Sequence, residues 1–103
     1  MAISRQGRSI TFTAVNAGLD FGGLPKRLMG LTFRGTGLTA GQLLIVRDTK
    51  TPGTGNILAD YAIQAATDNA DFWGGRTPQL CDGIAIDNNT VAGTWVLTAT
   101  IGI

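Results

Sequence analysis

LLIVRDTKTPGTGNILADYAI, residues 43–63, holds two β-rich runs around a turn cluster, and the fold is decided by how they are read. In the first run Leu43, Ile45 and Arg47 fall on one side and Leu44 and Val46 on the other. In the second, Ile57, Ala59, Tyr61 and Ile63 share a side opposite Leu58, Asp60, Ala62 and Gln64. Side chains that alternate with period two mark strands buried on one face. Between the runs, Thr51-Pro52-Gly53-Thr54-Gly55-Asn56 supplies a fixed φ, two permissive glycines and an asparagine, which suits a loose hairpin loop. A lone hairpin is marginal in water, so further strands must cover it.

Those strands lie on either side. Residues 8–15 alternate with Ile10, Phe12 and Ala14 inward and Ser9, Thr11 and Thr13 outward. Residues 16–25 are too glycine-rich for a helix and read as a long loop. Residues 26–34 alternate again, Met29, Leu31 and Phe33 against Leu28, Thr32 and Arg34. After the hairpin, a short helical turn is expected near residues 68–73, capped by Thr67 or Asp68 and stopped by Gly74 and Gly75. Residues 80–86 read as one strand, and residues 94–101 as another with Trp95, Leu97, Ala99 and Ile101 inward. Six short strands with little helix predict an all-β chain, a compact antiparallel β-sandwich or jelly-roll-like barrel. Residues 1–8, polar and carrying Arg5 and Arg8, read as an extended arm ahead of a single β-domain, residues 9–103.

Composition narrows the function. Of 103 residues 44% are hydrophobic and only 15% charged, against a usual charged share of about 25%, so part of the surface is expected to meet a partner. A net charge of +1 without an Arg/Lys block disfavours nucleic acid as that partner. The chain has no histidine and no glutamate, which removes the usual general base and zinc ligand. Its one cysteine, Cys81, sits among apolar residues and reads as a small hydrophobe. The opening MAISRQGRSI lacks the apolar region of a signal peptide, and no run of about 18 apolar residues exists to span a membrane. These features point to a soluble, non-secreted product.

Candidate chemical motifs are weak. The glycines of residues 35–41 precede a strand instead of the helix a phosphate loop requires. Asp68, Asn69 and Asp71 lack the closing glutamate of a calcium loop and read better as capping residues. Nothing in the spacing of Asp82 and Asp87 makes them an acid/base pair, and Ser4 and Ser9 have no imidazole to activate them. Asn88-Asn89-Thr90 matches a glycosylation pattern that matters only in a secreted eukaryotic protein. Phe72-Trp73-Gly74-Gly75-Arg76 is the one constellation with interface character, two aromatics and an arginine at a flexible turn, although both rings could equally cap the core.

The run LMGLTFRGTGLTAGQLLIVRD, continued as ILADYAIQAATDNADFWGGRTPQ, resembles small virion structural proteins of tailed bacteriophages, the capsid decoration or cement proteins in particular. The likeness covers residues 26–103 and is one of size, composition and strand pattern. It implies a non-enzymatic β-domain on the exterior of a capsid, made in the host cytoplasm, often trimeric, with the major capsid protein and its own copies as partners. The family has no catalytic motif, so no residue role transfers and no cofactor or metal is implied. Under this reading Arg5, Arg8, Phe72, Trp73 and Arg76 are the expected interface residues. The alternative is a small β-sandwich binding module of a phage tail or fibre, recognising a receptor or carbohydrate through Trp73 and Tyr61.

Overall fold

The structure is a computed structural model that describes residues 3–49, 51, 54–71, 79–87 and 91–102. These residues form ten strands: β1 (Ile3–Gln6), β2 (Ser9–Phe12), β3 (Ala17–Asp20), β4 (Lys26–Thr36), β5 (Leu43–Asp48), β6 (Asn56–Ala62), β7 (Asp68–Asp71), β8 (Gln79–Cys81), β9 (Gly83–Ile86) and β10 (Thr94–Gly102). The larger sheet runs β1-β2-β10-β4, with β7 and β8 both on the remaining edge of β4. The smaller sheet runs β3-β9-β5-β6. Every pairing is antiparallel, and the fold is a β-sandwich.

The core lies between the sheets. The larger sheet contributes Ile10, Phe12, Leu28, Leu31, Phe33, Trp95, Leu97, Ala99 and Ile101, and the smaller Leu44, Val46, Leu58, Ala59, Ile84 and Ile86. Each fully buried aliphatic or aromatic side chain contributes about 1.5–3 kcal/mol. Phe33 bridges the layers, its ring centroid 5.7 Å from that of Tyr61 on β6 and 5.9 Å from that of Trp95 on β10. The hairpin of residues 43–63 forms as expected, β5 pairing β6 from Leu43↔Ala62 to Asp48↔Asn56.

Two β-bulges shift the predicted faces. Between Thr100 and Ile101 the register with β4 jumps from Gly30 to Leu28, so Met29 is the extra residue. Leu28 therefore joins Leu31 and Phe33 in the core, and Met29, grouped with those two by simple alternation, is 49% exposed. Between Val46 and Arg47 the register with β6 jumps from Ala59 to Ile57, leaving Leu58 as the extra residue. Leu58 and Ala59 are then both buried, and Ile57 turns outward, 54% exposed.

Four further expectations are corrected. The helical turn near residues 68–73 is absent over its described part: residues 68–71 form β7, paired with Thr32 to Gly35 of β4. An open β4 edge offers this segment a full ladder, which outweighs the local capping signal. The strand expected over residues 80–86 is split at Asp82 into β8 and β9, which belong to different sheets. The crossing is fixed by the Asp82 N–H, which donates to Asp48 Oδ1 at 2.9 Å, and by the Asp82 carbonyl, which accepts from the Phe21 N–H at 3.2 Å. Within the expected loop of residues 16–25, Ala17 and Leu19 pair with Ile86 and Ile84, forming strand β3. The N-terminal arm is, over Ile3–Gln6, an edge strand held to β2 from Ile3↔Phe12 to Gln6↔Ser9.

Candidate functional site: the outer faces of the two sheets

On the smaller sheet, alternation puts Leu44 and Val46 into the core and turns Leu43, Ile45 and Arg47 outward. Ile57 is the Cα partner of Arg47 on β6, and Ala85 its partner on β9. Arg47 is locked in place. Its Nε donates to both carboxylate oxygens of Asp87 at 2.9 Å, and Nη1 donates to the Gly55 carbonyl at 3.0 Å. Asp87 is held by its backbone as well, donating to the Ile45 carbonyl and accepting from the Asn16 N–H. The result is a braced face on which Leu43 and Ile57 stand exposed, with Asp60 between them opposite Ile45.

The larger sheet presents a different chemistry. Outward positions of β2, β10 and β4 are mostly threonine, and one row crosses the sheet in register as Ser4, Thr11, Thr98, Thr32 and Asp71. The next row holds Val96, Arg34 and Asn69, with Thr13 just past the end of β2. Around Arg34 this face is hollowed into an open groove of about 530 Å³, lined by Thr13, Arg34, Thr36, Asn69, Thr94 and Val96 among others. A second hollow of about 220 Å³ continues from Arg34 and Asn69 past Thr32 to Asp71. Arg34 is exposed and has no carboxylate within ion-pairing distance among the described residues.

A third cluster ties the two sheets together. The Tyr61 hydroxyl donates to Asp68 Oδ2 at 2.5 Å, and the Gln64 N–H donates to the same oxygen at 2.9 Å. Burial first, then this hydrogen bond and the carboxylate charge, push the Tyr61 phenol up to about 12. The bond from Tyr61, followed by that from Gln64, holds Asp68 below the usual carboxylate range. The carboxylate thus pins the link between β6 and β7.

The sequence-selected residues distribute unevenly over these surfaces. Arg5 is exposed on β1 at an inward register position opposite Ile10, its guanidinium 6.0 Å from the centroid of the Phe21 ring. Arg8 is exposed in the two-residue turn between β1 and β2, where its carbonyl accepts from the Ile101 N–H at 2.9 Å. Phe72, Trp73 and Arg76 lie outside the described residues, as do Asn88, Asn89 and Thr90. Tyr61 is half-buried with its ring against Phe33 and its hydroxyl engaged, so it offers no free stacking platform. Asp82 sits at the sheet crossing and Asp87 in its ion pair with Arg47. Ser4 and Ser9 belong to the hydroxyl-bearing face.

Among the described residues no three of His, Cys, Asp and Glu come together to hold a metal ion. No helix among them is long and apolar enough to cross a membrane. The Arg34 groove was missed in the sequence because its residues come from four separate strands. The signal present was the outward alternation of threonines on residues 9–13, 32–36 and 94–100, which reads singly as ordinary solvent-facing strand.

Fold and surfaces define a β-sandwich with a hydroxyl-rich outer face on one sheet and, on the other, a mixed face where Leu43 and Ile57 stand exposed around Asp60 and Arg47. Comparison with protein-family models, with curated proteins and with solved structures finds no match.

Proposed function

We propose that the chain is a non-catalytic structural protein that binds a larger protein shell and stabilises it, as do the tailed-phage decoration proteins that residues 26–103 resemble. The observation that carries this reading is the outer face of the smaller sheet. Leu43 and Ile57 are 42% and 54% exposed there, with half-buried Ile45 before Arg47 on the same strand. Large apolar side chains standing exposed on a sheet face, here on either side of the outward Asp60, are anchors of the kind a protein partner covers. The Arg47–Asp87 pair keeps the strip in one conformation, which lowers the ordering required on docking. Major capsid subunits and further copies of the chain are the partners this reading names.

The test is occupancy on undecorated tailed-phage capsids incubated with the purified protein. Saturation in shell-wide copy number, lost in a Leu43→Asp/Ile57→Asp variant that melts normally, supports the reading. Binding confined to a few copies at the tail, or unaffected by the double substitution, counts against it. A second reading, a binding module of a phage tail or fibre, is favoured by the Arg34 groove on the opposite face.

A further inference from the structure

We propose that the Arg34 groove recognises a sugar carrying a carboxylate, an inference that deepens the binding-module reading and rests on it. The groove offers one cation among neutral hydroxyls, an amide and methyl groups: Arg34 between Val96 and Asn69 in one row, with Thr13, Thr36 and Thr94 around them, while the Asp71 carboxylate lies in the adjoining hollow opposite Thr32. Each part matches one part of such a ligand. The planar guanidinium can hold a carboxylate through two parallel hydrogen bonds. Threonine hydroxyls donate and accept equally, as sugar hydroxyls do, and the Asn69 amide adds two donors and an acceptor. The apolar ring face of a sugar can lie on Val96 and the threonine methyls.

An acidic peptide fits less well. Protein interfaces are anchored by large aromatic or apolar side chains entering pockets, and the one large ring at this groove, Trp95, is only 7% exposed. Neighbouring strands stand about 4.8 Å apart, so the row from Thr13 to Asn69 spans roughly 14 Å, the length of a short oligosaccharide. The strands β2, β4 and β10 are fixed by core side chains, with Phe12, Phe33, Trp95 and Leu97 buried beneath the groove, and β7, which carries Asn69, is held by its ladder to β4. The site is preorganised, shallow and open, which suits weak, rapidly exchanging binding.

The test is titration of the isotopically labelled chain with three probes, followed by amide chemical shifts. The probes are a galacturonic acid tetramer, the neutral maltotetraose and a tetraglutamate peptide. Saturable shifts clustered at Thr13, Arg34, Thr36, Thr94 and Val96 are expected with the acidic sugar, at least tenfold weaker with either of the others. Arg34→Gln should lose the interaction while melting normally, and Arg27→Gln, an exposed arginine on the same strand, should keep it. Equal binding of tetraglutamate, or an equal loss in Arg27→Gln, would reduce the effect to charge and overturn the proposal. Tighter binding of maltotetraose in the same groove would overturn the carboxylate but leave a sugar-binding module standing. No response to any probe would sink both.

Discussion

Arg47 on β5 and Asp87 just past β9 stand 40 residues apart in sequence, yet the Nε of the first is 2.9 Å from both carboxylate oxygens of the second. The pair joins neighbouring strands of the smaller sheet and, through Nη1 and the Gly55 carbonyl, reaches the start of β6. Its two ends differ in burial: 7% of the Asp87 side chain is exposed, whereas 22% of the Arg47 side chain meets solvent.

That asymmetry gives an ordering of variants. Arg47→Met removes the cation beside a nearly buried carboxylate, and the expected loss is about 3 kcal/mol, within the range for breaking buried pairs. For a domain of this size that is a fall in Tm of about 12–24 °C. Asp87→Leu leaves an arginine that can still reach water, so the loss is smaller. The double variant should recover part of the Arg47→Met loss, because apolar side chains can replace such a pair. Urea denaturation of the three proteins checks this. A double variant no better than Arg47→Met would show that Asp87 acts apart from the pair.

The Tyr61–Asp68 contact predicts two pH limits with opposite signs. The phenol is raised to about 12 in the folded chain, above its ordinary value of about 10. Its contribution is complete below about 10 and lost as pH rises towards 12. Asp68 is lowered, so its contribution is present above the ordinary carboxylate value of about 4 and lost as pH falls through the folded value. Tyr61→Phe should remove the alkaline component and weaken the acid one. Melting temperatures between pH 3 and pH 11, with identical alkaline limbs in both proteins, would disprove the assignment.

The same region shows what the sequence could and could not disclose. Period-two alternation located β2, β4, β5, β6 and β10 and most of the core, because burying one face leaves a mark on every second residue. It failed at Met29 and at Leu58, where one extra residue shifts the phase and puts Met29 and Ile57 outside. A bulge leaves no composition signal of its own. Asp68 read as a helix cap because its preferred local partners are backbone N–H groups. It does accept from one nearby backbone N–H, that of Gln64, but its side-chain partner, the Tyr61 hydroxyl, belongs to the other sheet and is met where β7 pairs with β4. Arg34 was visible as an outward residue. Its company of Asn69, Val96 and Thr13 was not, since register between distant strands is a tertiary property.

Cys81 should be chemically silent in the folded chain. Burial first, then the charge of Asp48, push its thiol up to about 12, so almost no thiolate exists at pH 8. The side chain is also 1% exposed. Native protein should resist a thiol-specific disulfide reagent at pH 8 and react with one equivalent after unfolding in urea. Labelling of the native chain at the rate of a free cysteine would contradict the burial of β8 against the core.

Three glycine-to-alanine substitutions separate backbone conformation from lack of space. Gly41 has φ +91° and nothing within 4 Å of an added Cβ, so Gly41→Ala tests conformation alone. The expected loss is about 1–2 kcal/mol, the strain of a left-handed residue. Gly35 has no positive φ, but its Cβ would lie 2.8 Å from Leu38 Cδ2 and 2.9 Å from Trp95 Cβ. There the loss is one of overpacking, about 1–3 kcal/mol, relieved in part by rotation of Leu38. Gly93 combines both conditions. Its φ is +93°, and an added Cβ would meet the Thr36 carbonyl oxygen at 2.5 Å and the Gly37 carbonyl oxygen at 2.6 Å. Backbone at the end of β4 cannot rotate away as Leu38 can, so Gly93→Ala should lose at least as much as the other two together, or fail to fold. Thermal melts of the three variants give the ranking directly. Gly93→Ala melting no lower than Gly41→Ala would mean that the chain entering β10 does not pack against the end of β4.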